Sequence, residues 1–283
     1  MSIHLQHLSA ANYDRLSELI YAKAGIRLGP DRKTMLGSRI QRRLKALKLT
    51  NFGEYCNYVF GIHGQRDELV HLIDVVTTNK TDFFREPAHF DYLTQSALPE
   101  MIAECGWGRP VSIWSAGCST GEEPYTLAML LSEYGATHPG FQFRLLATDI
   151  STSVLAKAEK AVYTGPVAAP IPANLRKKYL MRSRDRALDL TRVVPELRNL
   201  VEFRRLNFMD ADYAVGESFS AIFCRNVLIY FDRPTQERIL QKLAQHLTPR
   251  GYMFVGHAES LHDMDLPLTP VGPALYRKVG SRG

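Results

Sequence analysis

The spacing of apolar positions divides the chain into two parts. Over residues 1–75 they recur at helical intervals. In R-K-T-M-L-G-S-R-I-Q-R-R-L-K-A-L-K-L, Leu36, Ile40, Leu44 and Leu47 share one face, while Arg39, Arg42, Arg43, Lys45 and Lys48 fall mainly on the others. This part predicts an all-helical domain. Residues 76–95 are too polar for a strand and predict a linker running into a second helical stretch. From residue 96 to 283 short apolar runs alternate with helical spacing, which predicts an α/β domain with a parallel sheet.

The α/β part is organised around V-S-I-W-S-A-G-C-S-T-G-E-E-P-Y-T-L-A-M-L-L, residues 111–131. Val111, Ile113 and Trp114 predict a buried strand. Gly117 and Gly121 bracket a tight turn that needs residues without a Cβ. Leu127, Leu130 and Leu131 then continue as a helix with Pro124 in its first turn. Phe143–Ile150 predicts a second strand ending at Asp149, with Ser151 or Thr152 capping a helix that carries Val154, Leu155, Ala158 and Val162 inward. The turn-rich residues 163–200, with short strands around S-R-D-R, predict an inserted antiparallel β subdomain, either scaffold or a second docking site. V-E-F-R-R-L-N-F, then S-A-I-F-C, a helix from Pro234, G-Y-M-F-V-G and a closing antiparallel hairpin strand complete a mixed sheet.

Composition narrows the class. No apolar run approaches the ~20 residues that span a bilayer, and M-S-I-H-L-Q-H lacks the basic and apolar regions of a leader, so a cytoplasmic protein is expected. Cys56, Cys105, Cys118 and Cys224 are scattered and read as reduced thiols. The histidines show no H-E-x-x-H spacing, and no metal is expected; His89 and His257 read as structural or as candidates for the site. The net charge of +6 is concentrated between Arg27 and Lys48, where eight basic residues stand against Asp31 alone. That stretch suits a solvated face, an acidic helical partner or nucleic acid, and its lack of aromatics favours the protein partner.

The chemistry concentrates in three places. Strand, glycine turn and helix place a ligand over the strand's carboxyl end, with Asp149 suited to ribose hydroxyls. A helix N-terminus ordinarily attracts phosphate, but Glu122 and Glu123 stand at this one. The turn is neither G-x-G-x-x-G nor a P-loop. Two carboxylates suit a cationic ligand, so S-adenosylmethionine fits better than NAD or ATP; an ordinary αβ turn is the alternative. The linker T-T-N-K-T-D-F-F-R-E mixes Asn79, Thr81 and Arg85 with Phe83 and Phe84, as a segment covering a ligand would, or as a plain interdomain connection. Arg225 and Asn226 interrupt an apolar run and must find partners or line a pocket.

T-T-N-K-T-D-F-F-R-E, W-S-A-G-C-S-T-G-E-E-P-Y, A-T-D-I, I-F-C-R-N-V-L-I-Y-F-D and G-H-A-E-S, in that order and over nearly the whole chain, resemble the CheR family of chemoreceptor glutamate O-methyltransferases. The resemblance implies a class I S-adenosylmethionine-dependent fold, Rossmann-like with a mixed sheet. It implies cofactor contacts from Asn79, Thr81, Arg85 (the methionyl carboxylate), Glu122, Asp149 (the ribose), Asn207 and Phe208 (the adenine), Arg225 and Asn226. Arg225, Asn226 and Tyr230 would face methyl transfer. Arg39, Arg42, Arg43 and Lys45 would approach the cytoplasmic helical region of a chemoreceptor, and the β subdomain could tether a receptor C-terminal tail. The product would be S-adenosyl-L-homocysteine and the enzyme a monomer. A nucleic-acid methyltransferase and a non-catalytic S-adenosylmethionine-binding regulator are the alternatives. C-R-N-V in place of an N-P-P-Y-type motif speaks against the first, and the presence of Arg225 and Asn226 against the second. A glutamate of pKa about 4.3 is ionised at neutral pH, so the implied ester formation needs no general base.

Overall fold

A computed structural model describes residues 7–106, 108–216 and 218–280. The first six residues, on which the expectation of no leader rests, lie outside it. Helices α1 (Ala10–Ala24), α2 (Lys33–Leu47), α3 (Phe52–Phe60) and α4 (Ile62–Val76) form the all-helical domain. Its core collects Leu16, Ile20, Leu36, Ile40, Tyr55, Val59 and Leu72, and the predicted apolar stripe of α2 faces inward. Ser9 caps α1 by accepting from the Asn12 amide, and Gly25 ends it in the left-handed region (φ 70°).

Two of the basic residues on α2 are turned into this domain. Arg43 forms a bidentate pair with Glu68, at 2.8 and 2.7 Å; the Glu68 carboxylate is 2% exposed and also accepts from the Tyr55 hydroxyl. Arg39 donates to the carbonyls of Val75, Val76 and Thr77, closing the unsatisfied end of α4. Arg42 and Lys45 remain exposed. Of the four residues expected to form a docking face, two are thus engaged in structure.

The α/β domain begins with α5 (Pro87–Tyr92), inside the stretch expected as linker, and α6 (Leu98–Cys105). Strands β1 (Val111–Ala116) and β2 (Phe143–Asp149) flank α7 (Glu122–Thr137), and α8 (Thr152–Lys160) follows. Ser151 is the cap of α8, accepting from the Val154 amide. Val162 belongs not to this helix, as its spacing suggests, but to β3 (Val162–Thr164). Ala161 (φ 52°) ends the helix in the left-handed region, and Val162 pairs with Arg192. The short helices α9 (Gly165–Ala168) and α10 (Ala173–Tyr179) occupy the stretch read as turns. Strands β4 (Leu180–Arg182) and β5 (Leu190–Val193) complete a three-stranded antiparallel sheet of order β3-β5-β4.

Helix α11 (Pro195–Arg198) leads back to β6 (Val201–Arg205), β7 (Phe219–Cys224), α12 (Arg233–Gln245), β8 (Leu247–Val255), β9 (Leu268–Gly272) and β10 (Leu275–Lys278). The expected closing strand is thus a two-strand hairpin, and β8 runs through T-P-R-G, with Arg250 at φ 64° absorbing the turn. The main sheet has the order β6-β2-β1-β7-β8-β10-β9. Its first five strands are parallel, and β10 runs antiparallel to both of its neighbours, β8 and β9. β1, buried at every residue, sits where the strand order reverses, and separate cores cover the sheet's two faces. A ligand crevice is expected outside the carboxyl ends of β1 and its neighbours.

Candidate active site

The crevice is there, and the helical domain walls one side of it. From the α/β domain it is lined by Gly117, Ser119, Glu123, Asp149, Ile150, Leu206, Asn207, Phe208, Arg225, Asn226, Ile229 and Tyr230. From the helical domain come Ile26, Arg27, Leu28, Arg32 and Met35, and from the linker Thr77 to Asp82 and Arg85. Several hydrogen bonds join the two domains around it. The Arg27 amide donates to the Tyr230 carbonyl (3.0 Å), Asn207 Nδ2 to the Lys23 carbonyl (2.7 Å) and Thr152 Oγ1 to Asp74 (2.8 Å). Sequence reasoning missed the helical-domain wall, because nothing in I-R-L reveals which distant strand ends it will face.

Asp149 ends β2 at the crevice wall. Its Oδ2 accepts from the Ser119 amide and its Oδ1 from the Ser151 amide, both at 2.9 Å. Burial raises its pKa, and those amide bonds act in the opposite direction. A carboxylate fixed by two backbone donors keeps lone pairs free for ligand hydroxyls. The glycine turn makes this possible: Gly117 (φ 89°) and Gly121 (φ 97°) adopt conformations that side chains strain, and Ser119 (φ 50°) presents its N–H to Asp149.

The two acidic residues after the turn behave differently from the expectation. Glu122 is 4% exposed and turns toward Thr120, whose hydroxyl donates to it at 2.7 and 2.9 Å, and it is absent from the crevice wall. Glu123 reaches the wall, but accepts from Ser115 (2.7 Å) and pairs with Arg225 (2.9 Å). Burial raises the pKa of both. The negative charge facing the crevice at this strand end is therefore that of Asp149 rather than of a pair of mouth glutamates.

Arg225 follows β7 and is enclosed, its side chain 2% exposed. Its guanidinium pairs with Glu123 and with Glu86 (3.1 Å), and also donates to the Arg85 carbonyl. It thereby ties the linker to the sheet, and Glu86 and Glu123 offset its charge where it borders the crevice. Asn226 is in the left-handed region (φ 57°), and its Nδ2 donates to Glu86 Oε1 (3.1 Å). Burial raises the pKa of Glu86, but Arg225 and Asn226 outweigh it and the net shift is downward.

The linker is held at both ends. Phe83, 1% exposed, packs edge-on against Tyr163 at 4.9 Å, and the Phe84 amide donates to Thr126. Ser119 donates to the Asn79 carbonyl and the Tyr230 hydroxyl to the Thr78 carbonyl (3.1 Å). Asn79, Thr81 and Arg85 lie along the crevice as expected of a covering segment, with the Arg85 guanidinium bonded to the Lys80 carbonyl. Asn207 lines it too, but its amide is used by Lys23 and Met209; Phe208, 9% exposed, forms an apolar wall with Leu206 and Ile150.

Behind Arg225, Glu86, His89 and His257 bring ligand-type atoms within 4.8 Å of one another. His89 is 3% exposed, its Nδ1 lies 3.5 Å from a Glu86 carboxylate oxygen, and burial pushes its pKa down to about 4. The Glu86 oxygens already accept from Arg225, Asn226 and the His257 amide, so a guanidinium supplies the cation in this group.

A parallel-centred sheet with a crevice at its reversal point, an aspartate fixed at the second strand end and an apolar wall beside it are suited to an adenosyl ligand, and define an α/β enzyme of the nucleoside-cofactor type. Residues 79–272 match the family described as the CheR methyltransferase, SAM binding domain, and residues 11–77 the one described as the CheR methyltransferase, all-alpha domain. The chain belongs to the CheR methyltransferase family and is an S-adenosylmethionine-dependent methyltransferase. The chemotaxis protein methyltransferase of Borreliella burgdorferi is 38% identical over 267 residues, 93% of each chain. That of Escherichia coli (strain K12) is 39% identical over 269 residues, 95% of this chain and 91% of the other. Chemotaxis protein methyltransferase 2 of Pseudomonas aeruginosa is 38% identical over 95% of this chain and 94% of its own. Among the described residues no helix is long and apolar enough to cross a membrane.

Proposed function

We propose that this protein methylates glutamate side chains in the cytoplasmic helical region of bacterial chemoreceptors, forming glutamyl methyl esters. The observation that carries the reading is the shared crevice: Asp149 on its inner wall, and Arg27, Arg32 and Arg85 among the residues that line it. Asp149 suits ribose hydroxyls, Arg85 suits a carboxylate of the cofactor, and Arg27 and Arg32 suit an acidic partner helix.

Asp149 accepts the ribose hydroxyls, and Phe208, Leu206 and Ile150 cover the adenine with Asn207 at its edge. Arg85, with Asn79 and Thr81, holds the methionyl end. When bound, S-adenosylmethionine supplies a methyl group on a positively charged sulfur. The substrate glutamate arrives ionised and needs no proton removed. Asn226 and Tyr230 border the reacting carboxylate, and Arg225 keeps the linker closed above it. What the chain contributes is alignment and exclusion of water.

Arg42 and Lys45, exposed on α2, approach the receptor, while Arg39 and Arg43 hold the helix that presents them. A groove in the β subdomain lined by Arg176, Lys177, Arg182 and Arg184, against Asp185 and Asp189, with Leu180 and Leu190, keeps an excess of positive charge and supports tethering of a receptor tail that ends in a carboxylate. The enzyme acts in the cytoplasm as a monomer. Incubation with a receptor's cytoplasmic fragment, followed by peptide mass spectrometry, tests the reading. Added methyl mass on glutamates supports it; methyl mass confined to lysines contradicts it.

A further inference from the structure

The G-H-A-E-S stretch after β8 carries a buried carboxylate with no role in the account so far. Glu259, 6% exposed, reaches back beneath the end of the neighbouring strand β7. Its Oε2 accepts from the backbone amides of Gly256 (2.7 Å) and Asn226 (2.8 Å). Its Oε1 accepts from Leu228 (2.7 Å) and Ile229 (3.3 Å). Three of these four donors belong to the loop that leaves β7, whose amides have departed from the sheet ladder and need other acceptors.

That loop carries the groups nearest the proposed reacting carboxylate. Asn226 takes its left-handed conformation at the start, Leu228–Tyr230 form one tight helical turn, Ile229 is 55% exposed, and Tyr230 crosses to the linker. Gly256 completes the arrangement. A Cβ there would lie 2.8 Å from the Asn226 amide nitrogen and 2.3 Å from its Nδ2, so β8 can approach only as glycine. Val227 fills the opposite side, 3.3 Å from where a Cβ on Gly117 would be. The Asn226 side chain, so confined, meets Glu86 of the linker.

We propose that Glu259 is a positioning residue for methyl transfer: by accepting the amides of Asn226, Leu228 and Ile229 it sets the loop that presents Asn226, Ile229 and Tyr230 to the substrate side chain. A carboxylate is the group for the task, because it offers acceptors on both oxygens and no donor. Four inward-pointing amides form a nest that stabilises its charge. Asp149 ends β2, Ser119 lies in the turn after β1, and Leu206 and Phe208 follow β6, so the groups at the adenosyl end are outside the set of amides that Glu259 accepts.

The inference rests on the chemoreceptor-methylation reading, and the Glu259→Gln variant tests it with the wild type assayed beside it. The carboxamide keeps one acceptor oxygen and turns an NH2 toward two backbone donors. With a receptor cytoplasmic fragment, kcat is expected to fall by about tenfold or more, while receptor KM and the cofactor dissociation constant stay within about threefold. Amide hydrogen exchange at Asn226, Leu228 and Ile229 is expected to accelerate, with Ala221–Phe223 in β7 still protected. A kcat unchanged while those amides exchange freely overturns the proposal. So does a loss of kcat accompanied by lost protection throughout β7, which marks a merely structural role. An inactive wild type on every receptor fragment would instead count against the methylation reading; the exchange pattern would still report whether Glu259 holds the loop.

Discussion

The Arg225 guanidinium lies 2.9 Å from the Glu123 carboxylate and 3.1 Å from that of Glu86, so one buried arginine joins the first turn of α7 to the linker. Removing it leaves two largely buried carboxylates, 14% and 13% exposed, facing each other without their cation. Arg225→Ala is therefore expected to cost about 3–5 kcal/mol of folding stability, in the range for unpairing a buried charge. Chemical denaturation measures this. A variant as stable as wild type but without activity would restore a direct role for Arg225 at the substrate.

Arg85 is expected to act on cofactor binding without that loss of stability, whereas Asp149→Ala also strands the buried Ser119 and Ser151 amides and is expected to cost about 1–3 kcal/mol of folding stability. Asp149→Ala removes the acceptor at the crevice wall, and Arg85→Ala removes a cation whose bond among the described residues is to the Lys80 carbonyl. Each should weaken S-adenosyl-L-homocysteine by about tenfold or more in calorimetric titration, the scale of one charge-assisted hydrogen bond of about 1.5–3 kcal/mol. Unchanged affinity for both would move the adenosyl site elsewhere.

On α2 the structure separates two roles that the charge run had merged. Arg43→Ala strands the Glu68 carboxylate, 2% exposed, and is expected to lower the melting temperature markedly. Arg42→Ala and Lys45→Ala are expected to leave melting within a degree or two of wild type, as exposed substitutions do. They should raise receptor KM, and less so at high salt. Equal melting shifts for all three variants would contradict the division.

His89 sets a pH dependence. Glu86, Arg225 and His257 face it, and burial and Arg225 hold its pKa down at about 4, against an ordinary value of 6.5. Between these values the unfolded chain binds a proton that the folded one does not, so this contribution to stability is lost as pH falls from 6.5 toward 4. His89→Phe should flatten the fall in stability over that window by an amount on the order of 3 kcal/mol at its acid end. Denaturation curves at several pH values check this, and an unchanged slope would rule it out.

How much was legible in advance depended on whether the partners lay close in sequence. The period of Leu36, Ile40 and Leu44 identified a helix and its buried face, and Val111, Ile113 and Trp114 a buried strand, because those patterns are local. Asp149 could be found from its place after a strand. Which of Glu122 and Glu123 faces the crevice could not, because Arg225 lies about a hundred residues away and captures Glu123. Arg39 and Arg43 looked like surface charge for the same reason: Glu68 and the end of α4 are distant in sequence and adjacent only after α2 and α4 pack. Val162 had helical spacing, but pairing with Arg192 in β5 overrode it.

The most direct test follows methyl from radiolabelled S-adenosylmethionine into a chemoreceptor's cytoplasmic fragment and then treats the product with alkali. Release of the label as volatile methanol is the expected result, since only a carboxyl ester is cleaved in this way. Label that remains on the protein after alkali would place the methyl on nitrogen and contradict the account.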